Sequence, residues 1–323
     1  MRAALSRFLS SLRFFEDGRK LSVVEGCKIC WFNLWLLGST FILFCLSVFS
    51  LAPFGIWPRA VQRRVSGLLL RCCRLIWRWP FTASPWVRVD CEGLSAGWEG
   101  RIGASGRPVL LIANHTSFLD SLLFATHCNA GTVAQVATLA NRSLFSIPLL
   151  GHIMRGVGHI PVHFKSSNKD NDFATDPTKK NELLDRVERH VADGGWLCFY
   201  PEGQIHRGHG SRNTATLQPL RIGGLGVALQ YDMELWVWLA KGNNDCWPRT
   251  AVGGLPATIK ASLTCIAPTG SRDLMRELEP NAPSEYGPEA LKASLPVLVP
   301  HVQRLMQQRL DELYHSGEKA RDA

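Results

Sequence analysis

The chain has 323 residues, 46% of them hydrophobic, with a mean hydropathy near zero and 36 Lys and Arg against 27 Asp and Glu, a formal charge of +9. This length holds one large globular unit plus an appendage; the composition is apolar for a soluble enzyme, and the basic excess selects anionic partners: nucleic acid, phosphorylated metabolites or an acidic membrane surface. Ten cysteines are scattered through apolar runs, and no second pair stands behind Cys27-x-x-Cys30, which argues against a zinc site and asks for no oxidising compartment.

The first predicted element is a membrane segment. No charged residue lies between Lys28 and Arg59, and a bilayer-spanning helix needs only about 20 apolar residues. Trp31, Trp35 and Trp57 sit toward the ends of the run, where amphipathic rings prefer an interface. We place an apolar helix at 29–52. Buried core helices are rarely this long and uncharged, and a cleaved secretory signal does not fit so long and deep a stretch without a small-residue cleavage site. The opening MRAALSRFLSSLRFF is rich in Arg and Ser and free of acids until Glu16, which leaves organelle import open.

The second element, at 59–79, is basic and amphipathic: Arg59, Arg63, Arg64, Arg71, Arg74 and Arg78 interleave with Val61, Val65, Leu68, Leu69, Leu75, Ile76 and Trp79. Arginine stems lie along apolar surface while their heads meet phosphates, as in a helix lying in a membrane interface. Arginines flank the apolar run on both sides, so charge does not orient it. Either the first helix spans, or the two helices form a hairpin in one leaflet. Residues 1–84 thus read as a membrane-association region and 85–323 as a second domain.

Within that domain short apolar runs recur at 109–113, 158–162, 196–200 and 235–240. Leu183, Leu184, Val187 and Val191 keep helical spacing before a Gly194-Gly195 stop, and PHVQRLMQQRLDELYH ends the domain as another amphipathic helix. Strands alternating with helices predict an α/β fold with a mixed, largely parallel sheet flanked by helices. No Gly-x-Ser-x-Gly elbow, Walker loop or Gly-x-Gly-x-x-Gly occurs, which removes serine-hydrolase and nucleotide-hydrolysis chemistry from the front rank.

Ligands of open α/β sheets bind outside the carboxyl ends of strands, and two predicted strand ends carry ionisable groups: NHTSFLD, from Asn114 to Asp120, and YPEGQIHR, from Tyr200 to Arg207. A histidine ending a strand is, alone, more often structural. Here His115 precedes the capping types Thr116 and Ser117, so Asp120 falls in the first turn of a helix and can fold back on the imidazole. A carboxylate on one ring nitrogen fixes the tautomer and frees the other nitrogen to take a proton. With no nucleophilic-serine motif to serve, this base and orienter suit activation of a hydroxyl on the substrate itself.

NHTSFLD resembles the His-x4-Asp motif of the glycerolipid acyltransferases, the PlsC-like 1-acylglycerol-3-phosphate acyltransferase family, and YPEG resembles that family's Phe-Pro-Glu-Gly block. LFSIPLLGHIMRGVGHIPVHF is similar to the segment between them, and the likeness runs from about Arg107 to Pro268. The family's Gly-Thr-Arg-Ser continuation is absent: Gln204 and Ile205 stand there, with Arg207 two residues late. Phe164 followed by Lys165 replaces the arginine ending the middle motif, and Leu235-Trp236-Val237-Trp238 lacks the usual Val-Pro.

The resemblance implies an acyltransferase domain at 85–323 that moves a fatty acyl group from acyl-CoA, or an acyl carrier protein, to a lysophospholipid hydroxyl. His115 would be the general base and Asp120 its orienter; Glu202 and Gly203 would bind the acceptor; Arg207, then Lys165 and Arg155, would meet its phosphate. No bound cofactor and no metal is implied. The expected acceptor is 1-acylglycerol-3-phosphate, giving phosphatidic acid, at an endoplasmic reticulum or plasma membrane with the site facing the cytosol. A remodelling acyltransferase for another lysophospholipid and a catalytically weak membrane scaffold are the alternatives. A nucleic-acid partner is not expected, because the body shows no aromatic-basic ribbon.

Overall fold

The computed structural model describes residues 14–15, 18, 20–51, 57–91, 101–164, 175–208 and 210–315. Seven strands form one sheet in the order β1-β7-β6-β2-β5-β3-β4: β1 Val87–Asp90, β2 Val109–Ala113, β3 Val136–Asn141, β4 Ile160–Val162, β5 Trp196–Phe199, β6 Glu234–Lys241 and β7 Ala257–Ala267. The five strands from β6 to β4 are mutually parallel, and β7 runs antiparallel to β6 with β1 parallel beside it. The sheet is therefore mixed and mostly parallel, with helices flanking it.

β2 lies at the centre and is buried along its whole length. Its side chains alternate between faces, as the strand period of two requires. Val109, Leu111 and Ala113 join a core with Trp236, Trp238, Leu123 and Phe124, whereas Leu110 and Ile112 join one with Leu235, Val237 and Leu239. At about 1.5–3 kcal/mol for each large apolar side chain fully removed from water, β2 is the strand around which the rest is organised.

Among the described residues eight main helices clothe the sheet: α1 Val23–Leu51, α2 Arg59–Ile76, α3 Asp120–His127, α4 Leu150–Gly156, α5 Lys180–Ala192, α6 Gly223–Tyr231, α7 Ser271–Leu278 and α8 Pro288–His315. α6 and α8 cover the second face through Leu225, Leu229, Leu298, Val302, Met306 and Leu310. α8 begins twelve residues before its predicted start and runs through Pro296 and Pro300. Both flank apolar positions, Leu295, Leu298, Val299 and Val302, whose burial in the second core holds the helix across them.

The first face is covered in part by the N-terminal helices. Phe32 and Leu43 of α1, and Leu69, Leu70 and Cys73 of α2, belong to the same buried cluster as β2 and β6. The Asn33 amide donates to the Gly253 carbonyl (2.7 Å), Trp31 Nε1 to the Ala83 carbonyl (2.8 Å), and the Phe44 ring stands edge-on to His152 at 5.3 Å. Gly254, at φ 116°, lets the loop close on α1: a Cβ there would stand 2.7 Å from that of Phe32. Around that contact face α1 stays apolar, with Leu34, Leu37, Phe41 and Phe49 exposed. Among the described residues α1 alone is long and apolar enough to cross a membrane.

Candidate active site

The carboxyl ends of three neighbouring parallel strands, β6, β2 and β5, converge. β2 delivers Asn114 and His115, β5 delivers Tyr200 to Gly203, and β6 delivers Gly242 to Asn244. The sheet order alone thus brings the His115 loop together with segments 87 and 128 residues further along the chain.

His115 and Asp120 meet as the sequence leads one to expect. His115 Nδ1 lies 2.9 Å from Asp120 Oδ2, and that same oxygen accepts the backbone N–H groups of Thr116 (2.8 Å) and Ser117 (3.0 Å). Asp120 opens α3, and its carboxylate takes up the N–H groups ahead of the helix that Thr116 and Ser117 were expected to cap. The carboxylate is 1% exposed and the imidazole 21% exposed, so the pair presents one ring edge outward from a buried anchor. Nδ1 faces the carboxylate and carries the proton, and Nε2 is left as the acceptor.

Tyr200 stacks on the imidazole with centroids 4.3 Å apart and rings inclined by 27°, and its hydroxyl lies 2.9 Å from Ser121 Oγ. Burial, assisted by the neighbouring Asp120 charge, pushes the phenol well above its ordinary range and keeps it neutral. The ring fixes the imidazole plane from one side. Phe118, half exposed on the loop after β2, and Trp247 from the segment after β6 form an apolar lip, with ring centroids 5.9 Å apart and Ser117 Oγ donating to the Trp247 carbonyl.

Glu202 has a different place from the one its motif suggests. It is 2% exposed; Oε1 accepts the His115 N–H at 2.7 Å, and Oε2 accepts the Gln218 N–H at 3.0 Å. Burial pushes its carboxyl up, against the pull of those two N–H groups. Both oxygens are engaged inside the protein, so Glu202 clamps the His115 backbone instead of offering an open contact to an acceptor. Gly203 sits at φ 72°, with the Arg221 guanidinium folded over the turn and its Nε 3.3 Å from the Glu202 carbonyl.

Of the basic residues expected at a phosphate, Arg207 is exposed next to His206, whose N–H donates to the His115 carbonyl at 2.6 Å; Arg207 makes no ion pair among the described residues. Arg155 is committed elsewhere, its terminal nitrogens donating to the carbonyls of Gly151 (3.0 Å) and Phe145 (2.7 Å), where they hold the turn leading into α4. Lys165 lies outside the described residues. A cleft lined by Arg107, Asn129, Gln135 and Trp196 opens at the amino ends of the strands, away from His115.

Sequence reading did not find the third strand end. Asn243 donates from Nδ2 to Thr116 Oγ1 (2.7 Å) and to Asp120 Oδ1, and Asn244 donates to the Thr116 carbonyl (2.7 Å). The Asn114 amide bridges to the Ala240 N–H and carbonyl at 2.9 and 2.8 Å. The only signal in the sequence was two amides directly after an apolar run and a glycine.

Residues 96–234 match the family model described as Acyltransferase, a span that includes His115, Asp120 and Glu202. A search of curated proteins gives no significant match. Among solved structures, the 1-acyl-sn-glycerophosphate (LPA) acyltransferase PlsC from Thermotoga maritima is similar with a TM-score of 0.58, over 90% of this chain and 97% of that one, at 15% identity. The shared architecture covers most of both chains, and the family match spans the histidine and carboxylate that the sheet brings together. Residues 96–234 thus match an acyltransferase domain, and the fold that holds them is similar to that of PlsC.

Proposed function

We propose that the protein transfers a fatty acyl group from acyl-CoA to the free hydroxyl of a lysophospholipid, with 1-acylglycerol-3-phosphate as the leading acceptor and phosphatidic acid as the product. The observation that carries this reading is the His115–Asp120 pair, with Nδ1 tied to a buried carboxylate and the Nε2 edge open at a sheet's carboxyl end. His115 Nε2 takes the acceptor's hydroxyl proton as the oxygen bonds to the thioester carbon. As the tetrahedral adduct collapses, the carbon–sulfur bond breaks and the thiolate receives that proton from the imidazolium. Asp120 keeps the tautomer and stabilises the transient charge.

The acceptor would approach from a bilayer. α1 is held side-on to the body from Asn33 to Phe44, about 16 Å of helix at 1.5 Å per residue, while its outward face stays apolar. That supports insertion into one leaflet over a perpendicular span. Arg207 is the candidate partner for a phosphate, its planar fork suiting bidentate contact, with Arg221 on the same turn as the rival.

The test is thioester consumption by the purified protein across a lysolipid panel, with acyl-CoA and acyl carrier protein donors in parallel arms. Preference for 1-acylglycerol-3-phosphate supports the reading, and preference for a zwitterionic lysophospholipid replaces it with a remodelling acyltransferase. Absence of turnover with every acceptor and both donors leaves a membrane scaffold.

A further inference from the structure

We infer that Asn243 is a positioning residue of the catalytic pair, fixing Asp120 so that His115 keeps its proton-accepting edge toward the substrate; this rests on the acyl-transfer reading above. Asp120 has two carboxylate oxygens. Oδ2 is shared by His115 Nδ1 and the Thr116 and Ser117 N–H groups, which all come from its own loop. Oδ1 receives the Asn243 amide, from a different strand end. A buried carboxylate held on one oxygen by its own loop can still pivot; a donor fixed to β6 removes that freedom.

Three further observations separate this from ordinary packing. Asn243 is 1% exposed, and both its donated bonds go to the His115 loop, to Asp120 and to Thr116 Oγ1. Its own Oδ1 is buried without a partner among the described residues, an unfavourable state for a residue kept only for stability. The local backbone is shaped to deliver it: Gly242 turns at φ 80°, where a Cβ would stand 2.2 Å from the Thr258 carbonyl, and one helical turn follows at once. Asn244 steadies the same arrangement, donating to the Thr116 carbonyl and accepting the Gly210 N–H at 2.6 Å.

The experiment is a double-mutant cycle on the full chain, reading kcat and both KM values with acyl-CoA and the best acceptor. Asn243→Ala should lower kcat about 10–100-fold while leaving both KM values within about twofold, the signature of an interaction that matters in the transition state. Asn243→Asp keeps the shape but replaces the donor with a like charge facing Asp120, so it should be slower than Asn243→Ala; a packing role predicts the reverse order. Combined with Asp120→Asn, Asn243→Ala should add little, because residues acting as one unit are not additive. Should Asn243→Ala fail to fold, Asn243→Ser takes its place under the same expectations. Unchanged kcat, a loss confined to KM, or losses that multiply in the double variant would overturn the inference. A dead His115→Ala beside a fully active Asn243→Ala sinks this inference alone, whereas an active His115→Ala sinks the reaction assignment with it.

Discussion

Glu202 and Arg207 stand five residues apart on one loop and divide its work. The Glu202 carboxylate is spent on the N–H groups of His115 and Gln218, while Arg207 is open to solvent one residue beyond a direct contact with His115. Glu202→Gln retains one acceptor oxygen but turns an NH2 toward an N–H donor. It should lower kcat about tenfold and lower the melting temperature, as expected when a buried group loses its partner at a cost of about 1–3 kcal/mol; kinetics and thermal unfolding of one preparation check both. Arg207→Ala should instead leave stability untouched and raise the KM of a phosphate-bearing acceptor about 10–100-fold, since a charge-assisted hydrogen bond contributes roughly 1.5–3 kcal/mol. Equal losses on 1-acylglycerol-3-phosphate and on a phosphate-free monoacylglycerol would make Arg207 structural.

At the level of elements, the N-terminal helices belong to the sheet's first core, and this changes how their role is tested. Cutting away residues 1–80 would strip Phe32, Leu43, Leu69, Leu70 and Cys73 from that core and unfold the remainder. Replacing outward residues spares it: Leu34, Phe41 and Phe49 together changed to Gln should abolish flotation with liposomes while leaving the melting temperature near wild type. Undiminished flotation would refute the membrane face. β2, β5 and β6 and the helix α5 were legible in the sequence because both faces of the strands are covered and the helix keeps one apolar stripe. β1, β3 and β7 were not: VRVD carries charge, and VATLAN and ATIKASLTCIA mix small and polar residues whose burial depends on neighbours far away in sequence. The same reason hid Asn243, whose role exists only once β6 lies beside β2. The His-x4-Asp pair is local, and its spacing in sequence is already its spacing in space.

For the whole molecule, half-buried histidines shape the response to acid, His127 and His159 most strongly. His127 and His159 are each pushed down to about 4, chiefly by burial, with Arg78 and Arg74 adding to the effect at His127 and His190 at His159. An unfolded histidine binds its proton near 6.5, so between about 6.5 and 4 the unfolded chain holds more protons than the folded one. Stability therefore rises with pH across that window and is lost as pH falls through it, by on the order of 3 kcal/mol per histidine. Melting temperature should be flat above about pH 7 and drop steeply below 6.5, and His159→Gln should flatten that drop. The buried Asn114 side chain, bonded at both ends to Ala240, also leaves no room for a glycan at the Asn114-His115-Thr116 sequon in the folded protein. A glycan on Asn114 of native protein would contradict the proposed cytosolic placement of the catalytic face. The most direct test of the chemistry is thioester consumption by His115→Ala beside wild type, with liposome binding and melting temperature measured on the same samples. Loss of a positioned general base should cut turnover about 10²–10⁴-fold with binding and fold unchanged. Turnover at the wild-type rate would contradict the assignment of His115 as the base.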